Sequence, residues 1–462
     1  MKKILKLYNN QKYRDLFVDL FLPFSVAKFY LGVIYANTRN LTEAKKVFYL
    51  LLMAILQYIF IIPILVYNYS SLRIRLPRIL EKKKVFNGEI KKVGLYCPYF
   101  DIFAGGGEKV SAHVADILER KFPDAYIEII LDDFNMYKVN EIMTLEQVNN
   151  KYGTSLKKTV FKMYDHGYLK MPFFRFEESF INTSQQFDLF INLTMNSYPG
   201  FGAINIHYYH FPVKTVKDKY FQELYSTAYD SYVANSEFTN KWQKEIFGTE
   251  NNVVIYPPVI VDRYNKSIQK KNIIMSAGRI CESKNYDKMI VFFQNNEHLL
   301  EDYEFHIVGT LNPNAYYYYD YLQSLIVSDK IKFFKNISYE EMCLRYGESK
   351  IYWHSMGYGV DYEATPGMLE HFGITIVEAM SHGCVPVVFA GGGPAEIVAN
   401  GHCGFVWKNE SELIESTSFL IKNPDSLSKL SEKSIAASQQ YSHEVFESEM
   451  SKLIDKLIEE KL

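Results

Sequence analysis

The chain has little net charge to offer a polyanion: its formal balance at pH 7 is only -2 over 462 residues. Near neutrality it projects no field for gripping nucleic acid, and no RNA- or DNA-binding motif occurs, so nucleic acid is excluded as a partner. Cysteine is scarce. The five residues Cys97, Cys281, Cys343, Cys384 and Cys403 are odd in number, widely spaced and form no CxxC pair. That excludes a disulfide framework and a zinc ligand set, and it fits thiols kept reduced. There is no internal repeat and no low-complexity tract. There is also no D-x-D, since Asp132 and Asp133 are adjacent and read as a strand end.

In one place the chain lacks ionisable residues altogether. "VFYLLLMAILQYIFIIPILVY", Val47 to Tyr67, has no Asp, Glu, Lys, Arg or His. As a helix it would rise about 30 Å, the hydrocarbon thickness of a bilayer. Pro63 is tolerable there, because lipid-embedded helices accept proline better than soluble ones. The run starts too far in for a cleaved signal peptide, and no small-residue cleavage site follows it. A buried helix packed on a soluble domain is the other reading, but its uncharged length favours the membrane. An earlier apolar stretch, Leu16 to Ala36, carries Asp19, Pro23 and Lys28 and reads as interfacial or re-entrant. Lys45 and Lys46 precede the long run; Arg73, Arg75, Arg78 and Lys82 to Lys84 follow it. The denser downstream cluster favours a cytoplasmic C-terminal part, and it would sit well against anionic lipid. Residues 1–88 are therefore expected to form an N-terminal helical, membrane-associating region.

What is present from Lys91 onward is alternation. A chain of this length exceeds one core, and 48% hydrophobic with 23% charged residues is the balance of a folded protein. Strand-like runs occur at 93–100, 125–131, 187–193, 203–211 and 253–259. A second series follows at 272–278, 303–309, 330–334, 351–355 and 385–390. Helical spacing separates them, as through Val110, Val114 and Ile117 after Gly107. The pattern predicts an α/β fold of two doubly wound, Rossmann-like domains with a cleft between them. Their expected extents are 91–260 and 261–440, with a C-terminal helix at 441–462. "YPP" at 256–258 is a plausible hinge, because proline resists absorption into either sheet. Ligands of such sheets bind at the carboxyl ends of strands, where every glycine-rich turn of this chain falls.

"GRICESKN" leaves the first strand of the second series and sends Arg279 and Lys284 toward the cleft, an economical way to meet a pyrophosphate. An ordinary solvated loop pair is the alternative. In "EHFGITIVEAMSHG", Gly373 interrupts the chain before a short helix, and Gly383 suits its end. Free N–H groups around Gly373 to Thr375 would attract phosphate. Glu370, outside the helix, can reach a sugar hydroxyl or a reacting carbon. Glu378, one turn inside, can take the paired hydroxyls of a ribose. A nucleotide-sugar spans that interval. "AGGGPAEIV" allows close backbone approach at Gly391 to Gly393, and Glu396 opens another helix. In the first domain "DIFAGGGEKV" gives Gly105, Gly106 and Gly107 at a strand-to-helix turn; Val110 stands where the third glycine of G-x-G-x-x-G would be. "YYHFP" puts His210 at a strand end, where a structural or a functional role is open.

Taken in order, "GGGEK", "YYHFP", "NSEFT", "YPP", "GRICESK", "EHFGITIVEAMSHGCVPVV" and "GGGPAEIV" resemble the group-1 glycosyltransferases, retaining enzymes of the two-Rossmann GT-B type with an E-x7-E signature. The likeness covers about residues 91 to 440. "GGGE", "YYHFP" and "YPP" are also similar to the dolichol-pathway α1,2-mannosyltransferases, while "YWHSMGYGVD…PGMLEHFGIT" is closer to bacterial members. The latter inserts a loop, Gly357 to Met368, before the glutamate motif. The resemblance implies that Arg279 and Lys284 bind the donor diphosphate and Glu378 the ribose. Glu370 and the backbone of Phe372, Gly373 and Ile374 would hold the donor sugar and phosphate. His210 would lie beside the reacting carbon, with Gly106 and Gly107 near the donor phosphate and the acceptor. It further implies a metal-independent enzyme with no cofactor, the nucleotide-sugar being substrate.

The expected activity is transfer of a hexose, mannose among the candidates, from a nucleoside-diphosphate sugar to a lipid-linked or membrane-borne glycan, by a membrane-associated enzyme with cytoplasmic catalytic domains. Acceptor choice is assigned to first-domain loops such as Lys157 to Phe180. Two rivals remain at this level: a nucleotide-sugar epimerase of the same architecture, and an inactive transferase-fold scaffold. A glycoside hydrolase would also use two carboxylates, but it has no use for Arg279, Lys284 and a phosphate-binding helix start.

Overall fold

The structure is a computed structural model. It describes residues 81, 83–98, 100, 105–132, 142–164, 180–194, 200–212, 227–261 and 267–462, with backbone only at 314 and 399–401. The apolar runs 16–36 and 47–67, and Asp133, lie outside the described residues. Among the described residues no helix is long and apolar enough to cross a membrane.

The first sheet contains β1 (Lys92–Tyr96), β2 (Tyr126–Asp132), β3 (Val160–Tyr164), β4 (Leu189–Asn192), β5 (Ile204–Tyr209), β6 (Ser231–Ala234) and β7 (Asn252–Val254). Its order is β3-β2-β1-β4-β5-β6-β7. The second contains β8 (Lys271–Ala277), β9 (Glu304–Gly309), β10 (Ile331–Lys335), β11 (Ser349–His354), β12 (Val385–Phe389) and β13 (Phe405–Trp407) in the order β10-β9-β8-β11-β12-β13. All pairings are parallel, with Val93 facing both Ile127 and Leu189 in the first sheet, and Ile351 facing Ile274 and Val385 in the second. Both sheets thus have the doubly wound order, which reverses beside the first strand and opens a crevice there.

Helices α1 (Gly106–Lys121), α2 (Leu145–Tyr152), α3 (Glu237–Phe247), α4 (Tyr286–Asn295), α5 (Tyr316–Leu325), α6 (Tyr339–Glu348), α7 (Ile374–Ser381), α8 (Gly393–Gly401), α9 (Glu410–Lys422), α10 (Pro424–Ser438) and α11 (His443–Glu459) complete the described elements. Their boundaries follow local chemistry. Thr144 and Gln147 form a reciprocal cap on α2, and Ser236 accepts from the Thr239 N–H at the start of α3. Strands β4 and β5 are buried along their whole length, as strands covered on both faces must be.

Three short strands, β3, β6 and β13, are not apparent from the sequence. β3 falls inside the stretch read as a loop at 157–180; it is an edge strand with Val160 and Met163 exposed, so it carries no strong apolar signal. The chain crosses between lobes twice, side by side: Val259 pairs in parallel with Ser442 and its N–H donates to the Tyr441 carbonyl at 3.0 Å. Helix α11 then returns to the first lobe, where Phe446, Met450, Leu453, Ile454 and Leu457 enter the core beneath α1.

One expectation for the basic cluster is corrected. Lys83 and Lys84, read as facing anionic lipid, are engaged by protein carboxylates instead. Lys83 Nζ lies 3.1 Å from Asp230 and Lys84 Nζ 2.7 Å from Asp188, because both aspartates sit at the amino ends of first-sheet strands beside this segment.

Candidate functional site

The loop after β8 is short and tightly held. Glu282–Lys284 makes one 3-10 turn, and Asn285 takes φ 54° to start α4. The Asn285 side-chain amide donates to the carbonyls of Ser355 (2.9 Å) and Tyr358 (3.2 Å), and the Ser355 hydroxyl donates to the Lys284 carbonyl at 3.0 Å. These bonds tie the loop to the end of β11 and direct the Lys284 ammonium onto the Glu370 carboxylate, with which it forms an ion pair. Arg279, by contrast, stands exposed at the strand end and makes no ion pair among the described residues. The structure therefore brings Lys284, and not Arg279, to Glu370.

Glu370 is also 3.6 Å from His354 Nε2, at the end of β11. Burial would push the Glu370 pKa up; the Lys284 ammonium and the His354 ring outweigh it and hold the carboxyl well below the usual range. His354 itself is lowered, by burial first and Lys284 after, despite Glu370. The group facing the cleft is thus a fixed carboxylate beside a neutral imidazole. The Glu370 carbonyl accepts from the Gly393 N–H at 3.0 Å. A Cβ at Gly392 (φ +76°) would stand 2.0 Å from that same oxygen, so only glycine admits the approach.

Helix α7 begins at Gly373, whose φ is 109°, with no side chain among the described residues capping its first turn. The Tyr352 hydroxyl, on β11, lies 2.9 Å from Thr375 Oγ1 and 3.0 Å from the Ala277 carbonyl, fixing this helix start against the end of β8. The Phe372 ring turns inward, with centroids 5.7 Å from Tyr256 and 5.3 Å from Tyr441, so any ligand contact at 372 must come from its backbone. Glu378 is buried on the fifth residue of α7. Tyr346 donates to its Oε2 at 3.3 Å, and Lys109 Nζ of α1 lies 3.4 Å from Oε1.

The first lobe meets this helix start directly. A Cβ on Gly106 would lie 2.9 Å from Ile374 Cδ1, and one on Gly107 would lie 4.0 Å from His210 Cδ2. His210 is buried, and its Nε2 has no hydrogen-bond partner among the described residues. Burial, reinforced by His207 and His371, pushes its pKa down to about 3, so the ring is neutral near pH 7. The ring of Phe211 packs on that of His371 at 4.3 Å, and Ser236 Oγ donates to the His371 carbonyl at 2.6 Å. Gly106, Gly107, His210, Glu370, Lys284 and the α7 start therefore converge. His354, His371, Tyr346 and Lys109 belong to the same constellation and were missed in sequence. His354 alone had a usable signal, its place at a strand end. Among the described residues no group of three His, Cys, Asp or Glu converges to hold a metal.

Residues 261–437 match the model of the family described as glycosyl transferases group 1. An "uncharacterized glycosyltransferase" of Haemophilus influenzae is 24% identical over 384 residues, covering 80% of this chain and 99% of that protein. The Dictyostelium discoideum GDP-Man:Man(3)GlcNAc(2)-PP-Dol alpha-1,2-mannosyltransferase is 25% identical over 244 residues, 48% of this chain and 45% of the relative. The crystal structure of Anabaena Alr3699/HepE in complex with UDP superposes with a TM-score of 0.59 at 14% identity, covering 79% of this chain and 100% of the other. The lobe that carries Glu370 and Glu378 thus matches the group 1 glycosyltransferases, and the chain as a whole is similar to glycosyltransferases in sequence and fold.

Proposed function

We propose that the protein transfers a hexose, mannose among the candidates, from a nucleoside-diphosphate sugar to a lipid-linked or membrane-borne glycan with retention of anomeric configuration. The observation that carries this reading is the convergence of the Lys284–Glu370 pair with the uncapped α7 start under the Gly106–Gly107 turn. The UDP bound to the Anabaena neighbour and the GDP-mannose in the name of the Dictyostelium relative support a nucleotide-sugar donor.

On this reading the diphosphate lies at the α7 N-terminus. Lys284 and the exposed Arg279 meet the negative charge that grows as the sugar bond breaks. Swinging in Arg279 on binding leaves the half-buried Lys284 shared between phosphate and Glu370. Glu370, kept ionised, accepts hydroxyls of the donor sugar. Neutral His210 donates or accepts beside the reacting carbon. The departing phosphate takes the acceptor proton on the same face, which gives retention. Closed lobes exclude water and suppress donor hydrolysis. Because protein cations meet the leaving charge, no metal is required. The N-terminal region would hold the enzyme at the membrane, with its catalytic lobes on the cytoplasmic side.

The test incubates membranes containing the protein with a panel of nucleotide-sugars, with and without EDTA, and identifies the released diphosphate and the product anomer. The reading expects one diphosphate, a glycan product and indifference to EDTA. A free epimer formed from donor alone contradicts it.

A further inference from the structure

Glu378 sits in the second lobe, yet the cation it touches comes from the first. Both partners are 8% exposed, and Lys109 is the one cation within 4 Å of this carboxylate among the described residues. A carboxylate removed from water is costly to bury without such a partner, and the pair fixes it in place as an acceptor. The delivery is local to the cleft: Lys109 is three residues beyond Gly106, which abuts Ile374 at the start of α7. One turn of α1 thus touches one turn of α7 at both of its ends. The contacts at 3.4 Å and 3.3 Å are long, one to each oxygen. A carboxylate accepts about four hydrogen bonds, so room remains for two hydroxyls.

We propose that Lys109 is a positioning residue for nucleotide recognition: it holds the Glu378 carboxylate oriented toward the paired hydroxyls of a donor ribose, across the lobe boundary. This rests on the reading of Glu378 as the ribose acceptor. Its consequence is that the ribose site is complete only when the lobes are together, so donor binding and closure are coupled through one ion pair.

The test titrates the full-length protein with UDP, GDP and ADP, then with the 2′,3′-dideoxy form of whichever binds best. Lys109→Met is expected to weaken the ribonucleotide by about 10-fold or more while changing the dideoxy form little, so the preference for ribose shrinks. Lys109→Arg is expected to restore part of that preference, which a merely structural lysine would not do. Lys109→Gln serves in its place should the methionine variant not fold. Equal weakening of both nucleotides, no weakening, or tighter binding overturns the inference; tighter binding marks Lys109 as a competitor of the ribose. If none of the three diphosphates binds the unaltered chain, the nucleotide-sugar reading falls as well.

Discussion

At the scale of single residues, the site solves the problem of two nearby carboxylates by giving each its own lysine. Glu370 takes Lys284 from its own lobe, and Glu378 takes Lys109 from the other. Glu370 and Lys284 were legible because glycine and the strand-end position flag them in sequence. Lys109 and Tyr346 were not, since what makes them matter is contact between segments far apart in the chain. Glu370→Ala is expected to lower turnover by about 10²–10⁴-fold while leaving the fold intact. Steady-state kinetics with thermal unfolding of the same variant checks both halves, and near-normal transfer removes Glu370 from the mechanism.

At the scale of elements, the site is a meeting of turns. The start of α7 and the turn into α8 are joined by the backbone bond from the Gly393 N–H to the Glu370 carbonyl at 3.0 Å, and the loop after β8 reaches them through the Lys284–Glu370 ion pair. The alternation of strands and helices was readable from apolar runs and glycine punctuation. β3 and β13 were not, because an edge strand with exposed side chains or of three residues has no such signature. The same glycines now carry a prediction. Gly392→Ala places a Cβ against the Glu370 backbone at a left-handed φ, where it costs about 1–3 kcal/mol and displaces the carboxylate. Activity is expected to fall well beyond what the loss of stability explains, measured as kcat at a temperature where the variant is folded. Unchanged kcat would show that the turn tolerates the shift.

At the scale of the whole molecule, two lobes are joined by paired crossings and by polar contacts over the cleft. Glu396 of α8 accepts from the N–H groups of Glu237 and Phe238 at 3.1 and 3.3 Å and so caps α3 of the first lobe. Burial also leaves a pH signature. His113 and His210 are pushed down to about 3, and His207 and His371 to about 4, in each case by burial first, from an ordinary value of 6.5. Unfolding exposes these rings, so below that value the unfolded state binds protons that the folded state refuses. Stability is therefore full above it and falls as pH drops toward 4, by about 1.4 kcal/mol per pH unit for each ring. Urea unfolding at pH 7, 6 and 5 checks the slope, and a flat profile contradicts the assignment.

The central claim is that the second lobe grips a nucleoside diphosphate with Lys284, Arg279 and the α7 start. Calorimetric titration of the unaltered chain with the diphosphate it releases, beside Lys284→Ala, Arg279→Ala and the remote Lys452→Ala, tests it most directly. The account predicts binding that is lost or weakened by about 10-fold or more in the first two variants and unchanged in the third. Equal binding by all four proteins would contradict it.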